Sequence, residues 1–181
     1  MRRTNPLTIK KIENLANKLR KALNIKPYAP FPILDVIESL STNGLLTIQY
    51  LENDDPMFID GALAKYNPID DFIYIKESAL EKLECGEYQV NFTLAHELFH
   101  WFQCRVLEFE FEEVDKCPSY ADPEWQANEF AAQLLLPTKS IICNKNQTSI
   151  LAEIYKITES CVVTRKLYYQ RRIKRKKTNK S

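Results

Sequence analysis

The chain has 181 residues, 45% of them hydrophobic and 27% charged, values of one globular domain with at most a small appendage, which exclude a disordered or fibrous chain. Its formal charge is +1, but nine of the 25 Lys and Arg and none of the 24 Asp and Glu lie in residues 165–181, so the first 164 residues carry a net −8. No apolar run approaches the roughly 20 residues needed to cross a bilayer, so no membrane partner is expected.

The basic Met1-Arg2-Arg3 is followed too soon by the polar Thr8-Ile9-Lys10-Lys11 for a signal peptide. Five cysteines without a CxxC spacing are then expected as reduced thiols, and the protein as soluble and cytoplasmic.

In chain order, Asn5-Pro6 is expected to open a first helix, with Ile9, Ile12, Ala16, Leu19 and Leu23 as its apolar face. The Pro-rich stretch Pro27 to Pro32 is a connector, and a helix from about Ile33 to Ser41 closes at Asn43-Gly44. Leu45–Leu51, Gly61–Tyr66 and Phe72–Lys76 have the texture of strands in a small meander. Ser78 with Glu81 reads as a capping box opening a short helix. Beyond residue 86 there is no glycine, and the chain reads as helices joined by loops. The fold class expected is α+β, with a small, mostly antiparallel sheet packed against helices.

The chemistry is concentrated in Thr93 to Gln103, which contains His96-Glu97-x-x-His100. Two imidazoles four residues apart project from one side of a helix, and that spacing lets both reach one Zn²⁺ at about 2.0–2.1 Å. Thr93, His96, Glu97, His100, Gln103 and Cys104 form one polar sector, while Leu94, Ala95, Leu98, Phe99, Trp101 and Phe102 fill the rest. His96 and His100 are the only histidines, so a third protein ligand must be a carboxylate or a thiolate. The segment from Asp122 to Pro137 supplies the candidate. Glu124, Ala127, Asn128 and Ala131 share one helical face, the alanines allow close approach, and Asn128 can brace a ligand. Glu129 points about 140° away and fits a solvent-facing charge, so Glu124 is preferred to Glu129 or Asp122.

Phe92-Thr93-Leu94-Ala95-His96-Glu97-Leu98-x-His100-Trp101, followed by Glu124-x-x-Ala127-Asn128-x-Phe130-Ala131-Ala132-x-Leu134-Leu135-Leu136-Pro137, resembles the ImmA/IrrE metallopeptidase family. The resemblance covers roughly residues 8–140. It implies a zincin-like fold and a zinc endopeptidase directed at intracellular regulators, either helix-turn-helix repressors or antitoxin-like proteins. It further implies one zinc per chain on His96, His100 and Glu124, with Glu97 as the catalytic base. Phe99 stands where the family often has glycine, and Cys104 where histidine is frequent, which makes Cys104 an alternative soft ligand or a structural thiol. A donor to the tetrahedral intermediate must come from elsewhere, with Tyr120, Tyr66 and Lys65 as candidates.

Ser149 to Leu167 has two short apolar periodicities around Lys156–Thr158, resembling a helix-turn-helix with Thr158 as the second cap but without the usual turn glycine. If it reads DNA, Ser160, Thr164, Arg165, Arg171 and Arg172 face phosphates; otherwise it is a packing helix pair with a basic end. The organisation expected is a metallopeptidase domain over 1–140, a helical segment over 141–173 and a basic flexible tail over 174–181. The alternative to an endopeptidase is a metal-containing regulator that binds DNA or a partner protein without proteolysis.

Overall fold

The structure, a computed structural model, describes residues 1–143 and 147–178; the side chains of Cys143 and of residues 172–178 lie outside that description. A short strand β1 (Arg2–Thr4) leads into α1 (Ile9–Ala22) and α2 (Ile33–Thr42). Strands β2 (Thr47–Leu51), β3 (Ala64–Asn67) and β4 (Phe72–Lys76) follow, then α3 (Glu77–Glu84) and the long α4 (Gln89–Arg105). After β5 (Phe111–Glu113) come α5 (Pro123–Leu135), α6 (Thr138–Cys143), α7 (Thr148–Tyr155) and α8 (Glu159–Thr178). The α+β expectation is met.

The meander is not. The three-stranded sheet has the order β2-β4-β3, with β2 parallel to β4 and β3 antiparallel to it. Burial decides the order: Ile73 and Ile75 of β4 are both fully buried, so the most apolar strand takes the centre. The β3–β4 hairpin is local, with Asn67 and Asp70 side chains binding turn amides and Asp71 at φ 66°. β1 and β5, which no local pattern announces, form a separate antiparallel pair with Arg3 opposite Glu112.

Two helix starts differ from the sequence expectation. The α1 cap is Thr8, whose hydroxyl accepts from the Lys11 amide at 3.3 Å, while the Asn5 carbonyl is used by Gln126. At α3 the capping box does not form, because β4 runs directly into the helix and the Ser78 amide donates to Asn53 Oδ1 at 3.0 Å. The close of α2 at Asn43-Gly44 holds, with Gly44 at φ 69°.

α4 is the axis of the molecule. Leu94, Ala95, Leu98, Phe99 and Trp101 are buried among α2, the sheet and α5, and the Phe99 ring stacks on Phe130 with centroids 4.3 Å apart. Ala127 and Ala131 of α5 are fully buried, as close helix approach requires. Arg20 at the end of α1 is also buried; it donates to the carbonyls of Leu134, Lys26 and Ala29, tying the Pro-rich connector to α5.

The C-terminal helices share this core through Leu151, Tyr155, Ile157 and Val162. The α7–α8 turn uses Lys156 in the left-handed region (φ 52°) where a glycine is usual, and Thr158 caps α8 by accepting from the Cys161 amide at 3.3 Å. Residues 174–178, expected as part of a basic tail, continue α8; residues 179–181 lie outside the described residues. Among the described residues no helix is long and apolar enough to cross a membrane, and Cys85, Cys104, Cys117 and Cys161 form no disulfide.

Candidate metal centre

His96 and His100 lie one turn apart on α4 with their rings at 74° and their Nε2 atoms 2.9 Å apart. Glu124, in the first turn of α5, reaches between them: Oε2 is 3.2 Å from His96 Nε2 and Oε1 is 3.4 Å from His100 Nε2. Asp122 sets this carboxylate's position by accepting from the Glu124 amide at 3.0 Å, as an N-cap does, and is not itself in the cluster. Bonds of about 2.0–2.1 Å to a tetrahedral ion imply ligand–ligand edges of about 3.3–3.4 Å. Edges of 2.9, 3.2 and 3.4 Å are therefore close to what one small tetrahedral ion requires. Among the described residues this is the one group of three His, Cys, Asp or Glu side chains so arranged.

The imidazoles are held from behind. His96 Nδ1 faces Asn128 Oδ1 at 3.1 Å, the bracing expected of Asn128, and His100 Nδ1 faces Gln103 Oε1 at 3.1 Å. Amide oxygens there make each Nδ1 a donor, and each Nε2 would offer a metal its lone pair on giving up the proton it otherwise shares with Glu124. Gln103 in turn donates to Gln126 Oε1 at 2.8 Å, and Gln126 donates to the carbonyls of Asn5 and Tyr120 at 2.9 and 2.8 Å. Both glutamines are fully buried. Sequence reasoning placed Gln103 in the polar sector but missed this relay; its signal is a glutamine one turn after His100 with a second glutamine two residues after Glu124.

Glu97 stands beside the triangle, not in it. Its Oε2 accepts from the Tyr66 amide at 2.8 Å, and its Oε1 is 4.0 Å from His96 Nε2. Burial raises the Glu97 carboxyl above the usual range, against the opposing pull of the two histidines and the Tyr66 amide. Glu124 is held well below it by hydrogen bonds from His100 and His96. Burial alone lowers His100, but its hydrogen bond to Glu124 and the nearby carboxylates raise it overall.

Tyr66, on the edge strand β3, lines the cleft at the cluster; its hydroxyl donates to Asp71, which also binds Arg105 at 2.8 Å. Burial and Asp71 push the Tyr66 phenol far above its ordinary value. Tyr120 is brought elsewhere: it is 52% exposed and lines a separate groove with Arg3 and Phe111. Lys65 is engaged by Asp60 and the Met57 carbonyl. Cys104 lines the cleft without joining the ligand group, and burial raises its thiol.

Two sequence expectations fail on α5 and α8. Glu129 is not solvent-facing: its side chain is 11% exposed and pairs with Arg165 at 3.3 Å. Arg165 is not free for phosphate: it is 4% exposed, and its guanidinium also donates to Gln133 Oε1 at 2.8 Å and the Leu136 carbonyl at 3.4 Å. Burial lowers this guanidinium, with Glu129 opposing. Arg171 is exposed on α8, and the side chain of Arg172 lies outside the described residues.

Residues 84–165 match the family model Peptidase_M78, the IrrE N-terminal-like domain. That span contains α4 and α5, the two blocks that carry the resemblance to the ImmA/IrrE family. Among solved structures, a Mycobacterium tuberculosis transcriptional regulator matches with a TM-score of 0.54 and 15% identity, covering 83% of this chain and 45% of that one. At this identity the likeness is one of fold, and the chain spans less than half the length of that regulator. No curated protein matches the chain significantly.

Proposed function

We propose that this chain, with its IrrE N-terminal-like domain, is a zinc-dependent endopeptidase of zincin-like fold that acts in the cytoplasm on a regulatory protein, a helix-turn-helix repressor or antitoxin-like. The observation that carries the reading is a triangle of donors sized for a tetrahedral ion, with a carboxylate beside it that belongs to no ligand position. His96, His100 and Glu124 would hold one zinc per chain, and their two nitrogens and one oxygen suit that ion. Bound there, zinc supplies Lewis-acid polarisation of a peptide carbonyl and acidifies a water.

The chain's own residues do the rest. Asn128 and Gln103 fix the imidazoles so that neither Nε2 turns away. Glu97, anchored through Oε2 on the β3 amide, keeps Oε1 toward the triangle, where it takes the water's proton and returns it to the leaving amine. β3 is an edge of its sheet, and its open side receives the substrate backbone in extended form. Of the candidate donors Tyr66 and Lys65 both line the cleft, but the Lys65 ammonium is held by Asp60 and the Met57 carbonyl. We assign the oxyanion role to Tyr66, its hydroxyl exchanging Asp71 for substrate while Arg105 stays on Asp71.

A second reading, a metal-containing regulator that binds DNA or a partner protein without proteolysis, draws support from the α7–α8 hairpin and from the solved regulator of similar fold. The inward-turned Arg165 weighs against its DNA-binding form. Glu97→Gln separates the two. It should retain fold and zinc, yet slow cleavage of the cognate regulator by about 10²–10⁴-fold or more, as loss of a general base does. A Gln variant that relieves repression in cells as well as wild type would rule out proteolysis as the mechanism and favour the second reading.

A further inference from the structure

A cavity of about 460 Å³ lies between α4, α5 and α8, within the roughly 300–1,000 Å³ range of sites that accept small groups. Its apolar lining comes from Phe92 on α4, Trp125 and Ala132 on α5, and Cys161 and Tyr168 on α8. The one charge pair on its wall, Arg165 with Glu129, offsets itself. Gln89, Phe92 and Asn128 belong both to this cavity and to the groove that runs from Gly61–Lys65 to His96 and Glu97. Asn128 is also the residue on His96 Nδ1, so the cavity opens one side chain away from the proposed metal ligands.

We propose that this cavity is the specificity pocket of the peptidase, taking one large uncharged apolar side chain of a peptide laid along β3. The proposal rests on the peptidase reading above and adds the class of residue the substrate presents. Continuity of the cavity with the β3 groove selects the occupant, since a peptide extended along that edge carries its side chains past Asn128. The pocket's outer wall is the first turns of α8. Thr164, which sequence reasoning aimed at phosphate, lines it, so the helix-turn-helix-like segment completes the substrate site.

The test uses full-length Glu97→Gln protein as purified and acetylated, amidated hexapeptides identical except for Phe, Leu, Ala or Asp at one position, titrated by calorimetry. Phe and Leu peptides should bind at least about tenfold more tightly than Ala or Asp, since even one methylene in an apolar pocket discriminates by about 10–200-fold. Ala132→Phe or Thr164→Phe should abolish the preference by bringing the Phe and Leu peptides down to the affinity class of the Ala peptide; Thr164 is exposed, so that variant perturbs the fold least. Equal affinities, no binding up to millimolar peptide, or a preference untouched by both filling variants would overturn the proposal. Cleavage of the same peptides by wild type separates the two layers. Preferential binding without cleavage keeps the pocket and sinks the peptidase, and cleavage indifferent to the side chain does the reverse.

Discussion

α5 carries two polar clusters, one buried around Glu129 and one at an open cleft around Glu124, and the two carboxylates are partnered in opposite ways. At its middle, Glu129 and Gln133 meet Arg165 from α8, so the carboxylate's charge is offset by a cation within the chain, although Arg165 Nε finds no acceptor. At its start, Glu124 meets His96 and His100, and three lone-pair donors converge on one point. The first cluster carries its own cation and is a structural clamp between α5 and α8. The second has the donor set of a metal centre, and its outer groups, Asn128 and Gln103, are arranged to keep those lone pairs aimed inward. Two glutamates five residues apart on one helix thus acquire different chemistry from what the neighbouring helix presents.

The sharpest way to break this contrast is Arg165→Ala. It leaves Glu129 buried without its partner guanidinium and should lower unfolding stability by about 3–5 kcal/mol, equally with and without a chelator present. Denaturant melts read this directly, and a chelator-dependent loss would mean the clamp and the metal centre are one system. Asn128→Ala acts on the other cluster. It should weaken zinc affinity by about 10–100-fold, measured by competition with a chromogenic chelator, while barely changing stability in excess metal. Thr158→Ala is the smallest change: loss of the α8 cap should cost about 1 kcal/mol in the same melts and leave zinc affinity untouched.

The grouping of His96, His100 and Glu124 was legible because most of it is local. His96 and His100 are fixed relative to each other by helix geometry alone, and the Asp122-Pro123 start of α5 places Glu124. Helical angles correctly separated Glu129 from Glu124, but they give a direction and not what lies along it. Arg165, 36 residues further on, turned an expected solvent charge into a buried pair. The β1–β5 pairing was illegible for the same reason, since partners more than 100 residues apart leave no periodic trace in a three-residue strand. The central position of β4 was missed because strand texture does not give pairing order, and β2 pairs in parallel with β4 rather than with β3, the next strand in sequence. Thr8 was a different kind of miss: its capping signal was local, but Asn5-Pro6 offered a competing one, and tertiary use of the Asn5 carbonyl by Gln126 decided between them.

The central claim is that the cluster at the start of α5 holds a catalytic metal and the cluster at its middle does not. Elemental analysis of freshly purified wild type, His96→Ala, Glu124→Ala and Glu129→Ala tests it most directly. The account predicts close to one zinc per wild-type chain, none in His96→Ala, a clear deficit in Glu124→Ala, and full occupancy in Glu129→Ala despite its lower stability. Wild-type protein free of metal, or zinc lost from Glu129→Ala but retained by Glu124→Ala, would contradict it.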